Sequence, residues 1–381
     1  MAADPRGAEA RLLARTRALD PLVRGLATRF SLLSSVTPRN AAREHARLLE
    51  AWRAGREISP LWEPPTVDRR LLASARRAID EVIGALHDED GWLAIYRARF
   101  VELARDLAVI DAAFAATVRD AADARFADED VDVREADAIA EAWRAAPLED
   151  DGPPIPTDDP SDPRSLLSRM RARLSELRLP VRVLVRERVG SLAAAGDGVV
   201  IVAAGRATSD RETVRVVVHE IEGHVLPRER GRAGRFGIES AGSAGASEDE
   251  EGRALLLEER GGFMGGQRRR SLAARHVAAR MVERGATFVD VVRAAREVAS
   301  PNEALSIASL DEALSIAERV MRGGYLRGRD VFSGLGRERV YLTARARVGR
   351  AVIADSTWLD RLGERRLSLR AAALAPSPRP I

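Results

Sequence analysis

Val216-Val217-Val218-His219-Glu220-Ile221-Glu222-Gly223-His224 places two of the chain's five histidines five residues apart, with a glutamate directly after the first. In the shorter His-Glu-x-x-His pattern the histidines are four apart and share one helical face. At 3.6 residues per turn, positions four apart differ by about 40° around the axis, and positions five apart by about 140°. A regular α-helix therefore turns the two imidazoles of this stretch away from each other. The spacing predicts a widened turn, a π-bulge or a loosening after Glu222, before both rings can face one ion. Gly223 is the residue that most easily permits such a distortion.

Downstream, Glu251 follows His224 by 27 residues, inside Glu250-Glu251-Gly252-Arg253-Ala254. His-Glu-Ile-x-x-His with this later glutamate resembles the tyrosine carboxypeptidase family, the microtubule-associated tyrosine carboxypeptidase-like zinc metallopeptidases. Animal members remove the C-terminal tyrosine of α-tubulin, and bacterial relatives are labelled by a Gln-Glu-Gly-Leu-Ala motif. Three further segments are similar: Gly242-Ser243-Ala244-Gly245, Glu318-Arg319-Val320-Met321-Arg322-Gly323-Gly324 and Arg337-Glu338-Arg339-Val340-Tyr341-Leu342. The similarity runs from Pro38 to Ile353 and is thinnest in the middle.

The resemblance implies that His219, His224 and Glu251 bind Zn2+ and that Glu220 is the general base. It also implies a gluzincin-like fold. The chain departs from the family at Glu222-Gly223, where a small neutral pair is usual, at Arg253 in place of leucine, and at Arg337 in place of lysine. These changes bear on substrate choice, and Glu222 is expected to add negative charge close to the metal. Taken alone, Glu251 also fits a plain helix-dipole role in an acidic first turn. Its distance from the histidines and the following Gly252 favour the ligand.

Two imidazoles and one carboxylate suit a catalytic zinc with its fourth position left to water. Zinc lowers the pKa of that water, and Glu220 is placed to accept its proton and return it to the leaving amine. An oxyanion needs a donor, for which the chain offers Tyr96, Tyr325 and Tyr341; Tyr341 is preferred because it falls in a matching segment. A buried aromatic role for Tyr341 stays open, as does His276 as a weaker alternative. Arg322 and Arg337 are candidates for gripping a substrate carboxylate, against plain surface charge.

Composition narrows the field. The chain has 381 residues, 45% of them hydrophobic, enough for a large core. Its 61 basic residues, all arginine, nearly balance 58 acidic ones, leaving a net charge of +3. With aromatics at 4%, there is no base-stacking platform, and no nucleic-acid motif appears. Heavy Ala and Arg usage reads as genomic base composition. Cysteine is absent, which excludes disulfides, thiolate ligands and a cysteine nucleophile. The N-terminal residues do not form a signal peptide and no run is long enough to span a membrane, so a cytoplasmic, soluble protein is expected.

The expected fold class is α+β, mostly helical, with a small β-sheet beside the His-Glu-x-x-x-His helix. Residues 1–147 read as a helical N-terminal region, with helices at 68–87, 90–124 and 133–146 and Asn40 as a cap. His45 and His87 sit on charged helices, where surface or structural roles are expected. Residues 148–163 form an acidic, Pro-rich linker expected to be solvated. Residues 164–374 make up the metallopeptidase domain, with strands at 181–185 and 198–202. Ser209-Asp210-Arg211-Glu212 and Ser247-Glu248-Asp249-Glu250 have capping-box form, and Pro227 should end the motif helix. Glu303 to Ala308 recurs as Glu312 to Ala317, a local echo, and 375–381 reads as a disordered tail. The expected function is zinc carboxypeptidase action on peptide or protein C-termini. A zinc endopeptidase or aminopeptidase, and a non-catalytic regulatory protein with a structural metal, are the alternatives.

Overall fold

The structure, a computed structural model, describes residues 5–87, 89–149, 152–187, 189–299 and 307–375. The first copy of the short echo and nearly all of the expected tail lie outside the described residues. The chain is α+β and mostly helical, with three small sheets among the described residues. No described helix is long and apolar enough to cross a membrane.

Two compact units interleave along the chain, one formed by Met1–Arg17, Pro147–Gly266 and Ala344–Ile381, the other by Ala18–Ala146 and Gln267–Thr343. Stretches 1–147 and 164–374 each contribute to both.

The first unit contains the motif. Strand Val199–Ala203 lies between Arg182–Arg186, to which it is parallel, and Ala193–Ala195, to which it is antiparallel. Val200 and Val202 alternate with the less buried Val199 and Ile201, as the two-residue period of a strand requires. Their buried face joins Ala193, then Leu166, Met170 and Leu174 of helix Leu166–Glu176, and Val216, Val217, Ile221 and Val225 of the motif helix in one core. The β-branched run at 216–218, which by propensity suits a strand, is thus placed in a helix by burial of one face.

The expected solvated linker is partly built in. Ile155 and Thr157 are buried, Ile155 pairs with Thr208, and Thr157 Oγ1 donates to Ala203 O at 2.7 Å. Its prolines favour extended backbone and are tolerated at a sheet edge, so they frame a two-residue strand here.

Helix Ala246–Arg260, which carries Glu251, is clasped on two sides. Leu256 packs with Val348, Val352, Leu359 and Leu362. A Cβ at Gly252 would stand 2.5 Å from Ala344 O, and one at Gly223 would stand 2.7 Å from Ala254 Cβ. Gly223 is therefore required for close approach, and its backbone freedom is not used. Ser247 is not the cap: the helix begins one residue earlier, after Gly245 in the left-handed region.

In the second unit, Tyr96, Phe100 and Leu107 of helix Gly91–Ala112 are fully buried. The helix expected over 90–124 breaks at Phe114, whose φ is 63° and whose N–H donates to Gly323 O at 2.6 Å. It resumes at Val118–Arg125. Asn40 precedes helix Ala41–Arg53 but does not cap it with its side chain. Its amide instead bridges Leu61 O at 2.8 Å and Glu63 N at 2.9 Å, tying down the proline-rich loop.

Gly252→Ala should lower the stability of the first unit by about 1–3 kcal/mol through overpacking. A denaturant midpoint unchanged by this substitution would show that the helices have room to separate.

Candidate metal centre

The motif helix begins where Ser209 Oγ accepts from Glu212 N–H at 3.1 Å, as its capping-box sequence predicts. It is α-helical over Asp210–Val217, π-helical over Val218–Val225, and α-helical again over Leu226–Arg232. The widened turn expected from the five-residue spacing is present. It brings His224 Nε2 to 3.3 Å from His219 Nε2, with the rings inclined at 72°. Pro227 does not end the helix. At the start of a new α-helical turn its missing N–H is tolerated.

Glu251 Oε2 lies 3.4 Å from His219 Nε2 and 3.6 Å from His224 Nε2. Among the described residues this is the one group of three His, Asp or Glu side chains with donor atoms close enough to meet one ion. Donors about 2.0–2.1 Å from a tetrahedral zinc stand roughly 3.3–3.4 Å apart. The triangle formed by the two nitrogens and the oxygen matches that spacing.

Each imidazole has a carboxylate behind it, and each carboxylate an arginine. His219 Nδ1 meets Glu258 Oε1 at 2.7 Å, and Arg215 Nη1 meets the same oxygen at 2.7 Å. Arg215 continues to Glu212 through two bonds of 2.6 and 2.7 Å. His224 Nδ1 is 3.7 Å from Glu250 Oε2, and Glu250 accepts a two-pronged grip from Arg366 at 2.6 and 3.0 Å. With Nδ1 of His219 on Glu258, its Nε2 is left facing Glu251. Glu258 and Arg215 extend the motif by simple helical offsets, seven residues after Glu251 and four before His219. That same-face spacing was a usable signal for both.

The charges are strongly coupled. Burial opposes charge on both rings, but Glu251 and Glu258 raise His219, and Glu251 and Glu250 raise His224 to about 10. Against the same burial, His224 and His219 hold Glu251 well below the usual carboxylate range, and Arg366 with His224 brings Glu250 to about 2. Each imidazole thus faces carboxylates that favour its charged form, an arrangement in which a divalent cation can take the place of protons.

Glu220 accepts a hydrogen bond from Ala195 N–H of the edge strand at 2.8 Å. The neighbouring Glu222 does not bring an unbalanced charge, since Arg173 holds its carboxylate at 2.6 and 3.1 Å. Arg253 is buried, donates to Glu222 O and Leu359 O at 2.6 and 2.9 Å, and is lowered by that burial to about 10.

Arg322, Arg337 and Tyr341 belong to the other unit, where Arg322 is an electrostatic neighbour of Arg337, Tyr341 and Glu338. Tyr341 is half-buried beneath Arg275, whose Cζ is 5.5 Å from the ring centre. His276 is buried, with Nε2 on Asp137 Oδ1 at 2.7 Å, and His45 is held by Glu318 and Asp311. Both of these histidines serve the second unit's own packing.

The family model for the microtubule-associated tyrosine carboxypeptidase matches residues 85–347, more than half of the chain. No curated protein and no solved structure matches.

Arg215→Met should destabilise the first unit by about 3–5 kcal/mol, because it takes the guanidinium away from the fully buried Glu258. Denaturant unfolding monitored on metal-free protein measures this directly. A loss below about 1 kcal/mol would place the pair among weak, solvent-screened bridges.

Proposed function

The chain belongs to the microtubule-associated tyrosine carboxypeptidase family, and on that premise we propose that it is a zinc-dependent carboxypeptidase acting on peptide or protein C-termini. The observation that carries the reading is the triangle of His219 Nε2, His224 Nε2 and Glu251 Oε2, with sides of 3.3 to 3.6 Å. His219, His224 and Glu251 would hold the ion. Zinc, when bound there, supplies a Lewis acid that acidifies water and polarises the scissile carbonyl.

Glu220 is the proposed general base. Following His219 directly, it is turned away from that ligand around the widened helix, so that it is not needed as a donor. Ala195 N–H fixes one carboxylate oxygen, and the other is left to take a proton from water. Glu220 would take a proton from the water that attacks the carbonyl carbon and would return it to the departing amine as the C–N bond breaks. Glu258 and Glu250 keep the imidazoles oriented throughout.

Purified protein should contain about one zinc per chain, lost in His219→Ala, His224→Ala and Glu251→Ala. Elemental analysis decides this, and full retention in the Glu251 variant would move the third ligand elsewhere.

Glu220→Gln should keep the zinc and slow peptide hydrolysis by at least ~100-fold. Product analysis on a peptide library separates the reactions: release of single C-terminal residues supports the carboxypeptidase, and internal cuts favour an endopeptidase. Absence of cleavage by the zinc-loaded wild type would favour a binding protein with a structural metal.

A further inference from the structure

The widened turn leaves one backbone carbonyl that the helix itself cannot serve. In the π-helical segment N–H groups reach back five residues, and Leu226 N–H bonds Ile221 O. The next donor in that series would come from residue 227, which is a proline and has no N–H. The ordinary four-residue donor for Glu222 O would be Leu226 N–H, already used by Ile221. A regular α-helix would restore that bond to Glu222 and swing the two imidazoles about 140° apart. An unserved carbonyl at Glu222 therefore favours the helical register that dismantles the cluster.

Arg253 removes that bias. Its Nη1 donates to Glu222 O at 2.6 Å, and its Nε donates to Leu359 O at 2.9 Å. The guanidinium is buried, in space kept clear by Gly363, where a Cβ would stand 2.5 Å from Arg253 Nη2. We propose that Arg253 is a positioning residue for the metal centre: it supplies the hydrogen bond that Pro227 withholds from Glu222 O, and so fixes the turn that carries His224 to His219. The consequence for the metal rests on the zinc reading above, whereas the consequence for the turn does not.

Four proteins test this: wild type, Arg253→Leu, Pro227→Ala and the double variant. Arg253→Leu should weaken zinc binding ~10–100-fold, the range for groups that orient metal ligands, measured by competition with a chelator. The visible spectrum of the cobalt-substituted protein should change with it, since ligand geometry is altered and not stability alone. Pro227→Ala provides an N–H at the missing position and should recover most of the loss in the double variant. Arg253→Lys, which keeps a donor, should fall between. Gly363→Ala touches no motif residue but displaces the guanidinium, and should weaken zinc binding in the same direction.

Equal losses from Arg253→Leu with and without Pro227→Ala would overturn the proposal. So would an Arg253→Leu protein with wild-type zinc affinity and cobalt spectrum. If the wild type takes up neither metal, the zinc reading fails by itself. The denaturant midpoints of the four metal-free proteins then decide whether residues 227 and 253 are coupled through Glu222 O; additive midpoints reject the inference.

Discussion

Two imidazoles five residues apart can share one point in space only if a helical turn takes up an extra residue. Much of the first unit answers to that requirement. The widened segment Val218–Val225 must be held against the core by Val216, Val217, Ile221 and Val225 while His219 and His224 face the opposite way. It must also lie close enough to helix Ala246–Arg260 for Glu251 to complete the triangle, which is why Gly223 leaves no room for a side chain against Ala254. The geometry of three donor atoms is thus set by backbone distances, and only secondarily by rotamers.

Close approach brings a concentration of buried charge. Besides Glu248, helix Ala246–Arg260 carries Asp249, Glu250, Glu251, Glu258 and Glu259, and four of these five have an arginine directly on them. Arg347 holds Asp249, Arg366 holds Glu250, Arg215 holds Glu258 and Arg345 holds Glu259. Glu251, the fifth, has the two imidazoles at 3.4 and 3.6 Å. Burying so many carboxylates is tolerable because each ion pair is hydrogen-bonded and several are two-pronged. The carboxylates that orient the histidines are neutralised from behind by Arg215 and Arg366.

What could be read from the amino-acid order follows from locality. The Ser209 cap, the helix at 210 onward, the strands near 182 and 199 and the widened turn all depend on residues within one or two turns of each other, and all are present. The acid behind each histidine was not read, although Glu258 shares a helical face with Glu251, because its role depends on the partner helix. Asn40, Pro227 and Ser247 were misread for a common reason: the residue type suits a helix terminus, and tertiary partners assign it other work. The interleaving of the two units is wholly non-local, and no segmental composition marks it. Tyr341, Arg322 and Arg337 are legible in the order only as candidates, and that they share the second unit comes from the structure.

The exclusive use of arginine for cationic partners has a chemical consequence. The guanidinium forks behind Asp249, Glu250 and Glu259 could not be replaced by an ammonium without losing their paired hydrogen bonds. The chain also has neither lysine nor cysteine. No side-chain amine or thiol is therefore present for acylation, carbamylation, Schiff-base formation or thiol oxidation. The counter-ions that keep the acidic helix folded lie beyond the reach of covalent chemistry that commonly silences a cation, and covalent regulation of this unit would have to act on hydroxyls, carboxylates or the arginines themselves.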